Sequence, residues 1–324
     1  MADARQQDSH AHNDHVFKVL SNDSAAAFSD VAASWCRSGV RHGLDPATLH
    51  ERNLISGAEL ERLREKNGLL IEAARPLMDQ LFTTVGAAGC AVMLSDAGGI
   101  ILESRVMAAD RMMFDEVGLT PGGIWGEETE GTNGIGTCLV ERRPVTIHRD
   151  EHFASRNIGI SCMDAPIYDA QGQLVGALDI SSCRDDHSQA VATMVQKIVQ
   201  DAARRIERSV FYHHFSGHRI IDANEPGGDA ALLAVDRDDL LIGATRAARL
   251  RFALTDDCMN GTKRAASLLG EDSAVSFEDA ERATLRKALA ESGGNASAAA
   301  RLLGIGRATL YRRLEKAGIA PSGA

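Results

Sequence analysis

The apolar positions of the chain recur with more than one period, and each period marks a different kind of element. Residues 56–82, SGAELERLREKNGLLIEAARPLMDQLF, carry apolar side chains at helical spacing and predict one long helix. The run AVMLS (91–95) is continuous and apolar, and IILES (100–104) follows after Asp96-Ala97-Gly98-Gly99. An acid and two glycines between short apolar runs predict a hairpin. APIYDAQGQLVGALDIS (165–181) repeats the device, and VTIH (145–148) reads as a strand between the two. After Asp185 a second long helix is predicted, to about His214, with Val191, Met194, Val195, Ile198, Ala202 and Ile206 as its apolar stripe. Helix, hairpin, excursion, hairpin and helix make an α+β module, an antiparallel sheet flanked by helices.

Downstream, residues 231–254, ALLAVDRDDLLIGATRAARLRFAL, read as strand, turn, strand and short helix, and residues 259–275 as a linker. The periodicity then becomes purely helical. Ser276 is placed to cap FEDAERATLRKALAES, whose first turns hold Glu278, Asp279 and Glu281 at the positive end of the dipole. Leu285 and Leu289 lie at i,i+4, and Gly293-Gly294 stops the helix. Asn295 caps ASAAARLL, Gly304-Ile305 forms a tight turn, and GRATLYRRLEKAG buries Leu310 and Leu314. Two short helices joined by a glycine-containing turn, with cations on the second, are the all-α architecture that sets a recognition helix in the major groove. Arg307, Thr309, Tyr311, Arg312, Arg313 and Lys316 point outward from it, and Arg301 adds a cation on the preceding helix. Arginine grips guanine with two hydrogen bonds, worth ~1–3 kcal/mol of discrimination. The remaining cations suit phosphate.

Charge sharpens this division. The 324 residues carry a formal net charge of −10. From residue 295 onward five basic residues face one acid, Glu315, a net of +4, which leaves −14 for the rest. An acidic body with a basic end suits a protein in which only the reading element meets duplex DNA. A length of 324 implies about two domains at ~150 residues each, and 44% apolar residues suffice for packed cores. The start is polar and acidic, with no basic region leading into an apolar one, and no apolar run approaches the ~20 residues that span a bilayer. A cytoplasmic protein without membrane association is expected.

Candidate chemistry changes the picture little. Cys36, Cys90, Cys138, Cys162, Cys183 and Cys258 are scattered without a CxxC pair, so neither a disulfide framework nor a zinc site is expected. His148-Arg149-Asp150-Glu151-His152 fits the zinc-protease string H-x-x-E-H, but that chemistry needs a helix and VTIH leads in as a strand. His10, His12 and His15 read as solvated residues of a polar tail, and His213-His214 has no partner spacing. No G-x-x-x-x-G-K-[ST] occurs, the nearest string being Gly261-Thr262-Lys263. No catalytic residue, metal or cofactor is expected.

NASAAARLLGIGRATLYRRL (295–314) resembles the helix-turn-helix of the nucleoid protein Fis, also found at the end of bacterial enhancer-binding activators. The resemblance implies that Arg307, Thr309, Tyr311 and Arg312 lie near bases and that Asn295 and Ser297 contact phosphate; the family usually has a polar residue where Gly306 stands. EGTNGIGT (130–137), RPVTIHRDEHF (143–153), SCMDAPIYDAQG (161–172) and GALDIS (176–181) resemble the GAF domain of the acetoin-regulator type of activator, and SWCRSGVRHGLDP (34–46) resembles its lead-in. This implies a pocket for a small-molecule effector between the sheet and the connecting segment, which contains Trp125, Asn133, Thr137, Cys138, His152, Cys162 and Asp164. Residues 231–254 resemble the PAS-like fragment that follows in the same family. The expected domains are a tail and helical lead-in (1–55), a GAF sensor with its long helix (56–215), a PAS-like fragment with linker (216–272) and the helix-turn-helix (273–324). The resulting expectation is a homodimeric transcription regulator that binds an operator, takes a small effector and meets RNA polymerase without an ATPase. The rival readings are a thiol sensor or sulfoxide reductase built on Cys138 and Cys162, and a Fis-like architectural protein.

Overall fold

Alternation along one strand sets the architecture: in β1 (Cys90–Asp96), Cys90, Val92 and Leu94 turn to one face, Ala91, Met93 and Ser95 to the other, and all six are buried. A strand buried on both faces must be covered on both, so its sheet is the middle layer of three. The computed structural model describes residues 2–22, 24–48, 53–224, 230–259, 261, 263–270 and 277–319. Antiparallel pairing joins β1 to β2 (Ile101–Arg105) and β5 (Leu174–Ser182), β5 to β4 (Ser161–Tyr168) and β4 to β3 (Val145–His148), giving the order β2-β1-β5-β4-β3.

The helices before and around this sheet are α1 (Ala2–Leu20), α2 (Asp30–Cys36), α3 (Gly57–Lys66), α4 (Gly68–Val85), α5 (Arg111–Glu116), α6 (Glu127–Glu130), α7 (Gly134–Glu141) and α8 (Gln189–His214). One face of the sheet takes α4 and α8, with Leu70, Met78, Val195, Val199 and Ile206 packed on Val92, Leu94, Met163, Leu178 and Ile180. The helix predicted over residues 56–82 is divided at Asn67 (φ −99°, ψ 20°), whose side-chain amide donates to the Leu63 carbonyl at 2.8 Å. A local side-chain bond to the backbone competes with the helical ladder, and Gly68 beside it gives the break little resistance. The stripe on α8 divides as well. Val195, Ala202 and Ile206 are buried on the chain's own sheet, whereas Val191 and Met194 are 38% and 70% exposed.

The opposite face takes α5, α6, α7 and their connecting loops, with Phe114, Leu119, Trp125, Ile135 and Cys138 packed on Ala91, Met93, Ile147, Cys162 and Ala177. Over those loops lie α1 and α2, where Val16, Trp35 and Phe153 form a small core. Beyond the sheet, α8 continues until Phe211 and Phe215 pack on a second antiparallel sheet, β6 (Arg219–Asp222), β7 (Leu232–Val235) and β8 (Leu241–Ala244) in that order, followed by α9 (Arg246–Arg251). The turns joining β1 to β2, β4 to β5 and β7 to β8 use the same device. Asp96, Asp169 and Asp236 each accept at one carboxyl oxygen from the amides two and four residues ahead, at 2.8–2.9 Å.

The chain divides into two compact units, Met1–Arg264 and Ala265–Ala324. The second holds α10 (Ala265–Leu268) and then α11 (Phe277–Glu291), α12 (Ala296–Leu302) and α13 (Arg307–Lys316), the last three packed around Leu285, Leu289, Ala299, Ala300, Leu310 and Leu314. The Ser276 cap lies outside the described residues. Among the described residues no helix is long and apolar enough to cross a membrane.

Candidate effector site and nucleic-acid interface

Helix α7 is seated on the sheet by its own first residues. Asn133 caps it, accepting from the Gly136 amide at 2.8 Å and donating to the Gly131 carbonyl at 2.8 Å, while its backbone amide donates to Thr137 Oγ1 at 3.3 Å. Gly134 brings bare backbone onto β4: a β-carbon there would stand 2.0 Å from Asp164 Oδ2 and 2.4 Å from Cys162 Cβ. Only glycine permits that approach.

Beneath this helix the sheet presents polar groups where its neighbours are apolar. Asp164 on β4 lies opposite Asp179 on β5, and the two are 0% and 1% exposed. Ser181 Oγ donates to Asp179 Oδ1 at 2.8 Å and stands 3.2 Å from Cys162 Sγ. His152 Nδ1 lies 2.9 Å from the Arg149 carbonyl, which can only accept, so this nitrogen carries the proton. In the neutral ring Nε2 then accepts from the Cys162 thiol, 3.5 Å away. Burial, then mutual repulsion, pushes Asp164 well above the carboxylate range, and burial raises Asp179 to about 7. Facing carboxyls in a dry site share a proton because they cannot both ionise cheaply. Burial first, and then the same two acids, push the thiols of Cys138 and Cys162 well above their usual range.

Of the seven residues expected at the effector, Asn133, Thr137, Cys138, Cys162 and Asp164 thus meet at the α7–β4 contact, and His152 joins them through Cys162. Trp125 packs in the same apolar cluster and donates from Nε1 to the Gly118 carbonyl at 2.9 Å. All seven are at most 4% exposed. Two cavities of about 310 and 320 Å³ lie elsewhere, and none of the seven lines them.

In the second unit, Gly304 (φ 65°) makes the turn, Gly306 begins α13 with no side-chain cap, and Leu310 and Leu314 anchor it. Arg301, Arg307, Tyr311, Arg312, Arg313 and Lys316 are exposed and Thr309 is half-buried. The Arg307 guanidinium lies 5.6 Å from the Tyr311 ring centre, one turn along. Arg313 instead pairs with Glu281 of α11, Nη1 to Oε1 at 3.3 Å. Asn295 spends its side-chain oxygen on the cap, accepting from the amides of half-buried Ser297 and of Ala298 at 3.0 and 3.1 Å.

Residues 69–206 match the GAF domain family, and residues 276–316 match the family of bacterial regulatory proteins of Fis type. The chain joins a GAF domain to a Fis-type helix-turn-helix. It is 28% identical over 222 residues to the acetoin catabolism regulatory protein of Cupriavidus necator, covering 67% of this chain and 33% of that one. It is 27% identical over 161 residues to the acetoin dehydrogenase operon transcriptional activator AcoR of Bacillus subtilis, 49% of this chain and 26% of that one. It is 31% identical over 165 residues to the propane 2-monooxygenase operon transcriptional activator MimR of Mycolicibacterium smegmatis, with coverage of 49% and 26%. The chain thus spans about a third of the first relative's length and about a quarter of the other two.

The GAF domain is roofed by the helices that precede it. Ser34 Oγ donates to Glu127 Oε2 at 2.7 Å, and Arg37 holds the same carboxylate through Nε at 2.7 Å and Nη2 at 3.1 Å. Trp35 Nε1 donates to the Glu151 carbonyl at 2.8 Å. His12 departs from the solvated reading of the tail: it is 7% exposed, stands edge-on to Trp35 and places Nε2 3.2 Å from the Phe153 carbonyl, and burial lowers its pKa. The H-x-x-E-H string is also divided. His148 pairs with Ser161 at 2.9 Å and His152 with Cys162, and adjacent strand residues face opposite sides of the sheet.

Asp179, Ser181, Glu127, Arg37 and Ser34 escaped the sequence reading. For Asp179 no local signal existed: the turn at 169–172 pairs Tyr168 with Leu174, a register that would set residue 178 opposite 164, and the irregularity between Ile167 and Tyr168 brings Asp179 there instead. Nothing local announces that Ser34 and Arg37 meet Glu127.

Proposed function

We propose that this chain is a homodimeric transcription regulator whose GAF domain senses a small effector and whose Fis-type helix-turn-helix binds a duplex operator, without ATP hydrolysis. The observation that carries the reading is α13. Its inner side is locked by Leu310 and Leu314, and its exposed side offers Arg307, Tyr311 and Arg312. A rigid helix with cations on its free side is the geometry of major-groove recognition. The names of the relatives, regulators and activators of catabolic operons, support the same role.

One reader covers few base pairs, so operator specificity calls for two, on half-sites ~34 Å apart. The exposed Val191 and Met194 on α8 suit a dimer contact. Effector binding would alter the angle between the readers with a coupling of roughly 1–3 kcal/mol. Without the phosphate loop of an ATPase in this sequence, the protein acts by occupying DNA and recruiting or blocking RNA polymerase. Turnover by a thiol is disfavoured because the protonated thiols of Cys138 and Cys162 are poor nucleophiles.

The test is retardation of genomic fragments recovered by crosslinking. Arg307→Ala and Arg312→Ala should each abolish the shift while leaving the circular dichroism spectrum unchanged. Binding that survives both changes overturns the assignment of α13 as the reader.

A further inference from the structure

The GAF domain places two carboxyl groups where the rest of its core is apolar, and leaves them short of donors. Asp164 Oδ1, Asp164 Oδ2 and Asp179 Oδ2 accept from no N–H or O–H of the protein among the described residues; only Asp179 Oδ1 does, from Ser181. One proton held between the acids serves part of this deficit, and at least one acceptor remains. The groups that face the pair are Cys138 from α7 and Cys162 from β4, with His152 behind Cys162; none of them is a permanent cation. Neither acid forms an ion pair among the described residues. Removing an unpaired carboxylate from water costs stability, so its retention points to a functional use. The roof is also unusual, since Gly134 gives Asp164 backbone in place of a side chain. The walls are apolar and partly aromatic, with Met93, Phe114, Trp125 and Ile135 in the same cluster as Cys138 and Cys162.

We propose that Asp164 and Asp179 form the floor of the effector site and take a small organic ammonium ion, which displaces α7 as it enters; this rests on the sensor role proposed for the GAF domain. The unmet requirement is for donors, and an ammonium group supplies three. It also cancels the charge that a neutral hydroxylic ligand would leave buried, and aromatic faces favour it further. Carboxylates and phosphates are excluded by repulsion. Because the cation replaces the shared proton, binding releases that proton to the buffer. Movement of α7 reaches the N-terminal roof directly, since Glu141 at its end pairs with Arg37 at 2.7 Å.

The experiment is calorimetry on the full chain at pH 7.5, in two buffers of different ionisation enthalpy, with size-matched probes: propylammonium, 1,2-propanediol and propionate. Propylammonium alone should bind, with proton release, and Asp164→Asn and Asp179→Asn should each weaken it at least tenfold. The melting temperature of Asp179→Asn at pH 8 should be equal to or above wild type, which separates loss of the site from loss of the fold. Three results overturn the proposal: no propylammonium binding at millimolar concentration, equal binding of the diol without proton release, or binding unchanged in both variants. Operator retardation on the same samples separates this from the functional reading. Ammonium binding that leaves DNA affinity unchanged keeps the site and removes the sensor; a DNA shift without ammonium binding keeps the regulator and removes the site.

Discussion

Arg37 reaches Glu127 across 90 residues of chain and holds its carboxylate with two hydrogen bonds, at 2.7 and 3.1 Å, while Ser34 donates a third at 2.7 Å. Glu127 is fully buried and Arg37 is 23% exposed. Removing one partner of such a pair leaves the other buried and uncompensated, which costs ~3–5 kcal/mol for a fully buried pair. Because Arg37 keeps some solvent, Arg37→Ala should cost less, about 2–3 kcal/mol. Both tryptophans, Trp35 and Trp125, lie in the unit that contains this pair, so urea unfolding followed by tryptophan fluorescence reports it without interference from the helix-turn-helix. A loss below about 0.5 kcal/mol would place Arg37 among ordinary surface ion pairs.

The facing acids predict a stability that falls as pH rises. In the unfolded chain Asp titrates near ~3.9, whereas folded Asp179 is raised to about 7 by burial and Asp164 is raised as well. The folded state therefore binds more protons across this window. The contribution is fully present below the unfolded pKa and is lost as pH climbs through about 7, with a slope of at most ~1.4 kcal/mol per pH unit for each proton. The buried His12 and His187 and the half-buried His148 are lowered by desolvation and act in the opposite sense, losing stability as pH falls. They are neutral above ~6.5, so the range from pH 6.5 to 8 isolates the acids. The melting temperature should drop over that range in wild type and drop less steeply in Asp179→Asn, which keeps only the buried carboxyl of Asp164. Parallel curves for the two proteins would show that the acids are not protonated together.

The helix-turn-helix was legible because its determinants are local. Asn295 as cap, Gly304 as turn, and Leu310 and Leu314 at i,i+4 are all read within twenty residues and all hold. The hairpins were legible for the same reason, with Asp96 and Asp169 in their turns. The break at Asn67 was less so, because the apolar period runs on through both helices and only one amide side chain interrupts it. The N-terminal roof was not legible at all. His12 meets Phe153 over 141 residues, and a polar segment that buries His12 and Val16 reads as a tail until its partner is in place. The acids were no more legible: the turn alone would set residue 178 opposite Asp164, the irregularity between Ile167 and Tyr168 puts Asp179 there instead, and their dryness depends on α7, which the strand pattern does not contain.

Thiol chemistry offers a check on the packed state of the effector site. The reactive species is the thiolate, and burial at the contact of α7 with β4 holds Cys138 and Cys162 protonated. Cys36 and Cys183 are only half-buried. Iodoacetamide at pH 8 should therefore modify Cys36 and Cys183 ahead of Cys138 and Cys162, which are labelled only on unfolding, as read by peptide mass spectrometry. Prompt labelling of Cys162 in the native protein would revive the redox reading and weaken the case for a dry acidic pair beside it.

Arg313 and Arg312 are neighbours with different duties. Arg312 is exposed on the outer side of α13, whereas Arg313 is tied at 3.3 Å to Glu281 of α11 and so braces the reading helix against its own bundle. A cation that neutralises a phosphate contributes about −0.9 to the slope of log K against log salt, and one engaged with an internal acid contributes little. Arg313→Ala should leave the salt slope of operator binding within experimental error of wild type and lower the melting temperature of the helix-turn-helix slightly, in keeping with ~0–1 kcal/mol for an exposed pair. Lys316→Ala should flatten the slope by about one, and Arg312→Ala should remove binding outright. A slope flattened by one in Arg313→Ala would mean that Arg313 leaves Glu281 for the DNA backbone when the operator docks, and that α13 is braced by its leucines alone.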